Sequence, residues 1–167
     1  LKAINIKNPY LAVSPDGKYL LLIPRFAPDY EKNKIYLMEI LTEQMKELRS
    51  EGHNVKAIFS PDGQKILFSH YQTGKGEVVD LINLLGAEQK LKLTDLINFP
   101  VWLSNSELFV AQTTNWFKLN VDQNQKTNYI FKKAGGEIEK VLIYKKTAWY
   151  LDSENKLYKV QLVENRY

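Results

Sequence analysis

The sequence predicts an all-β fold built from repeated antiparallel sheets, and three observations carry that reading. An apolar strand, a tight turn Ser60-Pro61-Asp62-Gly63 and a second apolar strand run from Val55 to His70. The same construction stands 46 positions earlier, from Pro9 through Ser14-Pro15-Asp16-Gly17 to Ile23. A displacement in the forties between strand–turn–strand units is the mark of a propeller or another stacked array. Finally, 12% of the residues are aromatic, with ten tyrosines and seven phenylalanines, which favours strands.

The turns explain their own recurrence. Pro15 and Pro61 occupy the second position of a type I turn and pre-set its φ, and Asp16 and Asp62 fold their carboxylates onto nearby backbone N–H groups. Gly17 and Gly63 supply the positive φ that returns the chain to the next strand. These six residues therefore read as hairpin geometry rather than as acid–base or metal chemistry.

In order along the chain, Leu1 to Lys7 alternates weakly and reads as one isolated strand. Unit one supplies Tyr10–Ser14 and Tyr19–Ile23 around its turn, then a loop from Pro24 to Lys34, then Ile35–Leu41 and Met45–Arg49. Tyr19–Ile23 is apolar on both faces, as a strand sandwiched between sheets requires. Met38 to Glu51 also suits a short helix by propensity, but the repeat register favours strand. Unit two has Val55–Ser60, Ile66–His70, Val78–Leu85 and Lys90–Thr94. Unit three lacks the proline and glycine, yet Phe99–Ser104 and Glu107–Gln112 flank Asn105-Ser106, followed by Trp116–Val121 and Thr127–Phe131. Unit four reads Ile138–Tyr144, Thr147–Leu151 and Lys156–Val163.

That makes a β-propeller of about four blades, the last lacking its outer strand. Leu1–Lys7 either completes that blade and seals the ring, or is the outer strand of an earlier blade in a larger ring. Rings of about six to eight blades are the commoner kind for such repeats. Both arrangements leave edges that the remaining blades or a second copy would cover. No linker or low-complexity stretch divides the chain, so residues 1–167 read as a single domain.

Composition bounds the rest. With 44% hydrophobic and 25% charged residues the chain is globular in type, and the absence of cysteine excludes disulfides and thiolate metal sites. No apolar run approaches the about 18 residues of a membrane span. The formal charge of +4 is mildly basic. Lys126, Lys132, Lys133, Lys140, Lys145 and Lys146 are interrupted by Glu137 and Glu139, which suits solvated hairpin edges rather than a nucleic-acid surface. The start at Leu1, without methionine or a basic lead into an apolar run, reads as a processed or excised piece.

The Ser-Pro-Asp-Gly-Lys/Gln turn between apolar strands, followed by strands such as Ile66-Leu67-Phe68-Ser69 and Ile35-Tyr36-Leu37-Met38-Glu39, resembles the TolB-type propeller repeat, also called the WD40-like Pro-Asp repeat. The resemblance covers Pro9–Thr94 well, Phe99–Phe131 weakly, and the remainder by periodicity alone. It implies a propeller fold in one of three settings. These are a periplasmic protein binding peptide segments of partners, an extracytoplasmic sensory domain of a membrane-bound transcriptional regulator, and the gating propeller of a prolyl-oligopeptidase-like peptidase.

The residues themselves hold no glycine-flanked nucleophilic serine, phosphate-cradling loop or His–Glu metal pair. His53 stands in a Ser-Glu-Gly-His-Asn loop and His70 closes a strand, without an adjacent carboxylate signature that would recruit a metal. Trp102, Trp116 and Trp149 fall within strands and read as packing residues. The expectation is a non-enzymatic module with no cofactor and no metal, binding a protein or peptide outside the cytoplasm. Its loops on one propeller face are Pro24–Lys34, Ser50–Asn54, Tyr71–Glu77, Asp95–Pro100, Thr113–Asn115, Lys133–Glu137 and Asp152–Asn155. They carry Arg25, Phe26, Tyr30, His53, Tyr71 and Asn98, residue types that anchor partners. The Pro24–Lys34 loop, the longest connection, is the expected centre of the surface.

Overall fold

The computed structural model describes residues 9–24, 34–49, 53–72, 74–130, 135–144 and 146–164. Strands β1 (Pro9–Val13), β2 (Tyr19–Pro24), β3 (Ile35–Glu39) and β4 (Met45–Arg49) form the first sheet, in sequential order. Strands β5 (His53–Phe59), β6 (Lys65–Gln72), β7 (Gly76–Asn83) and β8 (Glu88–Leu93) form the second in the same way. The third comprises β9 (Val101–Trp102), β10 (Glu107–Ala111), β11 (Trp116–Asn120) and β12 (Gln125–Ile130); the fourth comprises β13 (Ile138–Tyr144), β14 (Thr147–Asp152) and β15 (Leu157–Gln161). A last strand, β16 (Val163–Glu164), pairs with β12. Every pairing is antiparallel, and no helix occurs among the described residues. The chain clusters into two compact units, Leu1–Thr94 and Asp95–Tyr167.

In the first unit, two sheets stack through alternate residues of their strands. Leu21, Ile23, Ile35 and Leu37 of the first sheet meet Ala57, Phe59, Ile66, Phe68 and Ile82 of the second in one buried cluster. Period-two side-chain direction is what selects these positions. Both tight turns carry the same hydrogen-bond set. Ser14 Oγ donates to Asp16 Oδ1 at 2.7 Å and accepts from Tyr19 N at 2.9 Å; Ser60 Oγ donates to Asp62 Oδ1 at 2.5 Å and accepts from Lys65 N at 2.9 Å. Asp16 and Asp62 in turn accept the N–H of Lys18 and Gln64, each at 3.1 Å. The serine hydroxyl thus bridges the turn carboxylate to the second strand. Gly17 and Gly63 have φ of 71° and 72°, the conformation the motif requires. A Cβ on Gly63 would sit 3.6 Å from Pro15 Cδ, so the two turns lie side by side on one rim of the unit.

The second unit repeats the stack without the motif. Phe109, Ala111 and Trp116 of the third sheet bury against Val141, Ala148 and Tyr150 of the fourth. Trp116 meets Phe109 and Tyr150 edge-on, with centroids 5.8 Å apart in both pairs. Ser104 keeps the accepting half of the turn serine's role, its Oγ taking the N–H groups of Ser106 and Glu107.

One expectation is met and one changes. Met45–Arg49 is strand throughout, so the helical alternative for Met38–Glu51 is not adopted: Met45 pairs with Met38 and Arg49 with Ile35, tying the segment into the sheet. The expected strand Lys156–Val163 divides, because Leu162 turns inward to bury and donates its N–H to Lys146 O at 2.8 Å. The chain then crosses to the third sheet, where Val163 and Glu164 pair with Ile130 and Tyr129, making that sheet five-stranded. The Leu1–Lys7 strand, and with it the sealing of the ring, lies outside the described residues.

Candidate partner-binding surface

In the first unit, β5, β6 and β7 run beyond the apolar core and carry a polar and aromatic row at their far end. His53 faces Tyr71 across β5 and β6, and Tyr71 faces Glu77 across β6 and β7, which puts the three side chains on one face. The His53 and Tyr71 rings lie 5.3 Å apart, tilted by 30°, and Tyr71 is 52% exposed. The sequence places both residues in loops, whereas the structure places them in strands. The reason is the hairpin beyond them: Lys75 N donates to Gln72 O, and Gly74 and Gly76 take positive φ, so pairing continues to Gln72 and Gly76. Strand backbone holds this row more rigidly than a loop would.

Behind the row lies a buried pair that the sequence does not announce. His70 Nε2 sits 3.1 Å from Asp80 Oδ2, and both residues are buried. Asp80 Oδ1 accepts the N–H of Lys92 at 2.8 Å, and Lys90 Nζ approaches to 3.8 Å. Burial pushes the Asp80 carboxyl up, but the His70 ring, the Lys92 N–H and the Lys90 ammonium outweigh it and hold it below its ordinary value. Glu88 pairs with both Arg49 and Lys90, and the Arg49 guanidinium lies 4.8 Å from the Phe68 ring centroid. The network therefore joins β4 to the second sheet. His70 is thus a partnered core residue within β6 rather than the residue that closes the strand. Counting outward from the Gly74–Gly76 hairpin puts Val78 opposite His70 and Asp80 one step further along the same face, which is the signal that could have revealed the pair.

Arg25, Phe26 and Tyr30, with most of the Pro24–Lys34 loop, lie outside the described residues, as do Ser50, Glu51 and Gly52. Asn98, in the second unit, is half-buried; its Nδ2 donates to Phe99 O at 3.1 Å, and its buried Oδ1 has no hydrogen-bond partner among the described residues. Trp102 Nε1, four residues on, is likewise buried and unpartnered there.

Two open clefts of the second unit flank Tyr129, a residue the sequence does not single out. One, of about 420 Å³, is lined by Tyr129, Lys146, Gln161 and Leu162–Glu164; the other, of about 340 Å³, by Gln112–Trp116, Tyr129, Ile130 and Ile138. Burial, then the Glu164 and Glu107 carboxylates, push the Tyr129 phenol up. Lys118 bridges those carboxylates at 3.1 Å and 3.2 Å.

No family model matches the sequence, and no curated protein matches it. Solved structures do match. TolB from Acinetobacter baumannii aligns over 97% of this chain and 45% of its own, at 14% identity and a TM-score of 0.56. The β-propeller domain of the Trilobed protease from Pyrococcus furiosus aligns over 85% and 48%, at 14% identity and a TM-score of 0.64. A chain of the Mitotic Checkpoint Complex aligns over 93% and 46%, at 9% identity and a TM-score of 0.60. The chain spans a little under half the length of each. At these identities the likeness concerns fold, and the fold is that of TolB-like β-propellers, with about four blades present.

Proposed function

We propose that this TolB-like propeller chain is a non-enzymatic binding module, and that its partner is a protein or peptide met outside the cytoplasm. The observation that carries the reading is the row His53, Tyr71 and Glu77: an exposed aromatic ring, an imidazole and a carboxylate held in register by paired strands. Such a set buries area at low ordering cost while hydrogen-bonding a peptide backbone or a basic side chain. The fold likeness to TolB and to a chain of the Mitotic Checkpoint Complex supports a protein partner, and the TolB likeness supports the extracytoplasmic setting.

A pull-down from source-cell extract tests this, comparing wild type with His53→Ala/Tyr71→Ala and with Arg25→Ala/Phe26→Ala/Tyr30→Ala. The first variant is expected to keep its β-sheet circular dichroism and to lose the partners that wild type captures. If both variants fold and capture the same partners at the same yield, the reading fails. The likeness to a protease's propeller domain favours one second reading, a propeller that gates a peptidase. A hydrolase domain in the same reading frame would replace the first reading with that one.

A further inference from the structure

We infer that the row His53, Tyr71 and Glu77 takes an arginine side chain of the partner, its guanidinium stacked on the Tyr71 ring and forked onto the Glu77 carboxylate. This inference rests on the binding reading above and names what that surface recognises. The second sheet builds the same arrangement on its other face, out of its own residues. There the Phe68 and His70 rings stack with centroids 5.5 Å apart and planes inclined by 26°. The Arg49 guanidinium lies 4.8 Å from the Phe68 centroid, and the Glu88 carboxylate pairs with it. Ring pair, cation and carboxylate are all present in that set.

Side chains alternate along β6, so Tyr71 points to the opposite face from Phe68 and His70. On that face the His53 and Tyr71 rings lie 5.3 Å apart, inclined by 30°, and Glu77 stands opposite Tyr71 on β7. The ring pair and the carboxylate are repeated, but no described cation lies against the Tyr71 ring or pairs with Glu77. Lys75, exposed in the hairpin just beyond, forms no ion pair with Glu77 either. Tyr71 and Glu77 are both exposed, so a ligand reaches them without moving a strand.

The chemistry of the set selects the ligand. An aromatic face and a carboxylate both attract a cation, whereas an acidic segment would bring its own carboxylate against Glu77. Cross-strand neighbours such as Tyr71 and Glu77 hold their Cβ atoms about 4.5–5.5 Å apart. A planar guanidinium spans that interval, covering the ring with its face and presenting paired N–H donors to both carboxylate oxygens; an ammonium has no such plane.

Two-dimensional NMR of the isotope-labelled chain tests this, with capped tripeptides carrying a central arginine, lysine or citrulline as probes. The arginine peptide is expected to shift the His53, Tyr71 and Glu77 signals saturably, and the lysine peptide to bind more weakly. Citrulline, which keeps the shape without the charge, is expected to leave them in place. Glu77→Gln is expected to lower the arginine affinity by about fivefold with the rest of the spectrum unchanged. Citrulline binding as tightly as arginine, an unaltered affinity in Glu77→Gln, or an arginine peptide that moves none of the three signals overturns the assignment. Partner capture that is lost in His53→Ala/Tyr71→Ala yet undiminished in Glu77→Gln also overturns it, and leaves the binding surface standing. Capture undiminished in both variants removes the surface itself.

Discussion

At the scale of single residues, the serine of the Ser-Pro-Asp-Gly turn matters as much as the proline and glycine that make the motif recognisable. Ser60 is fully buried, and its hydroxyl links the Asp62 carboxylate to the Lys65 N–H. Ser60→Ala removes both bonds and is expected to cost about 1–2 kcal/mol. Gly63→Ala meets only ordinary contacts, but its φ of 72° is unfavourable for alanine, at a cost of about 1 kcal/mol. Urea denaturation of both variants checks these values, and a change under about 0.5 kcal/mol, the usual range of neutral surface substitutions, would remove the turn from the account. The residue types alone made the proline, aspartate and glycine legible. The serine's part emerges only with the strand that donates to it, five residues away.

At the scale of strands and sheets, the Asp80 network shows what periodicity leaves out. Alternation identified β6 and β7, but not that His70 and Asp80 meet, because pairing register depends on the hairpin at Gly74 and Gly76. The His53–Tyr71 pair was named residue by residue yet assigned to loops for the same reason. The network has a pH signature. Asp80 titrates in the folded chain below its unfolded value of about 3.9. Its contribution to stability is therefore complete above that value and disappears as pH falls through the folded pKa. Asp80→Asn is expected to lower stability at neutral pH by about 2 kcal/mol and to flatten the loss below about pH 4. Denaturation midpoints from pH 7 to pH 3 check this, and parallel profiles for variant and wild type would contradict it. The clasp of β16 on β12 was equally illegible, since a two-residue strand has no period to read. Removing residues 163–167 is expected to speed amide exchange across Gln125–Ile130 while leaving β10 protected.

At the scale of the whole molecule, four sheets were legible because two of them carry the turn motif and the other two keep its spacing. Unit three retains Ser104, whose hydroxyl accepts the N–H of Glu107 at the start of β10 as Ser60 accepts that of Lys65 at the start of β6. Of the residues expected to form the candidate surface, His53 and Tyr71 stand in strands rather than loops, and most of the loop expected at its centre lies outside the described residues. The clasp between Ile130 and Val163 has a further consequence, in time rather than in space. On a ribosome, β12 emerges 33 residues before the strand that covers its outer edge. At ordinary elongation rates that edge stands open for about 2–7 s, long enough for a neighbouring nascent chain to pair with it first.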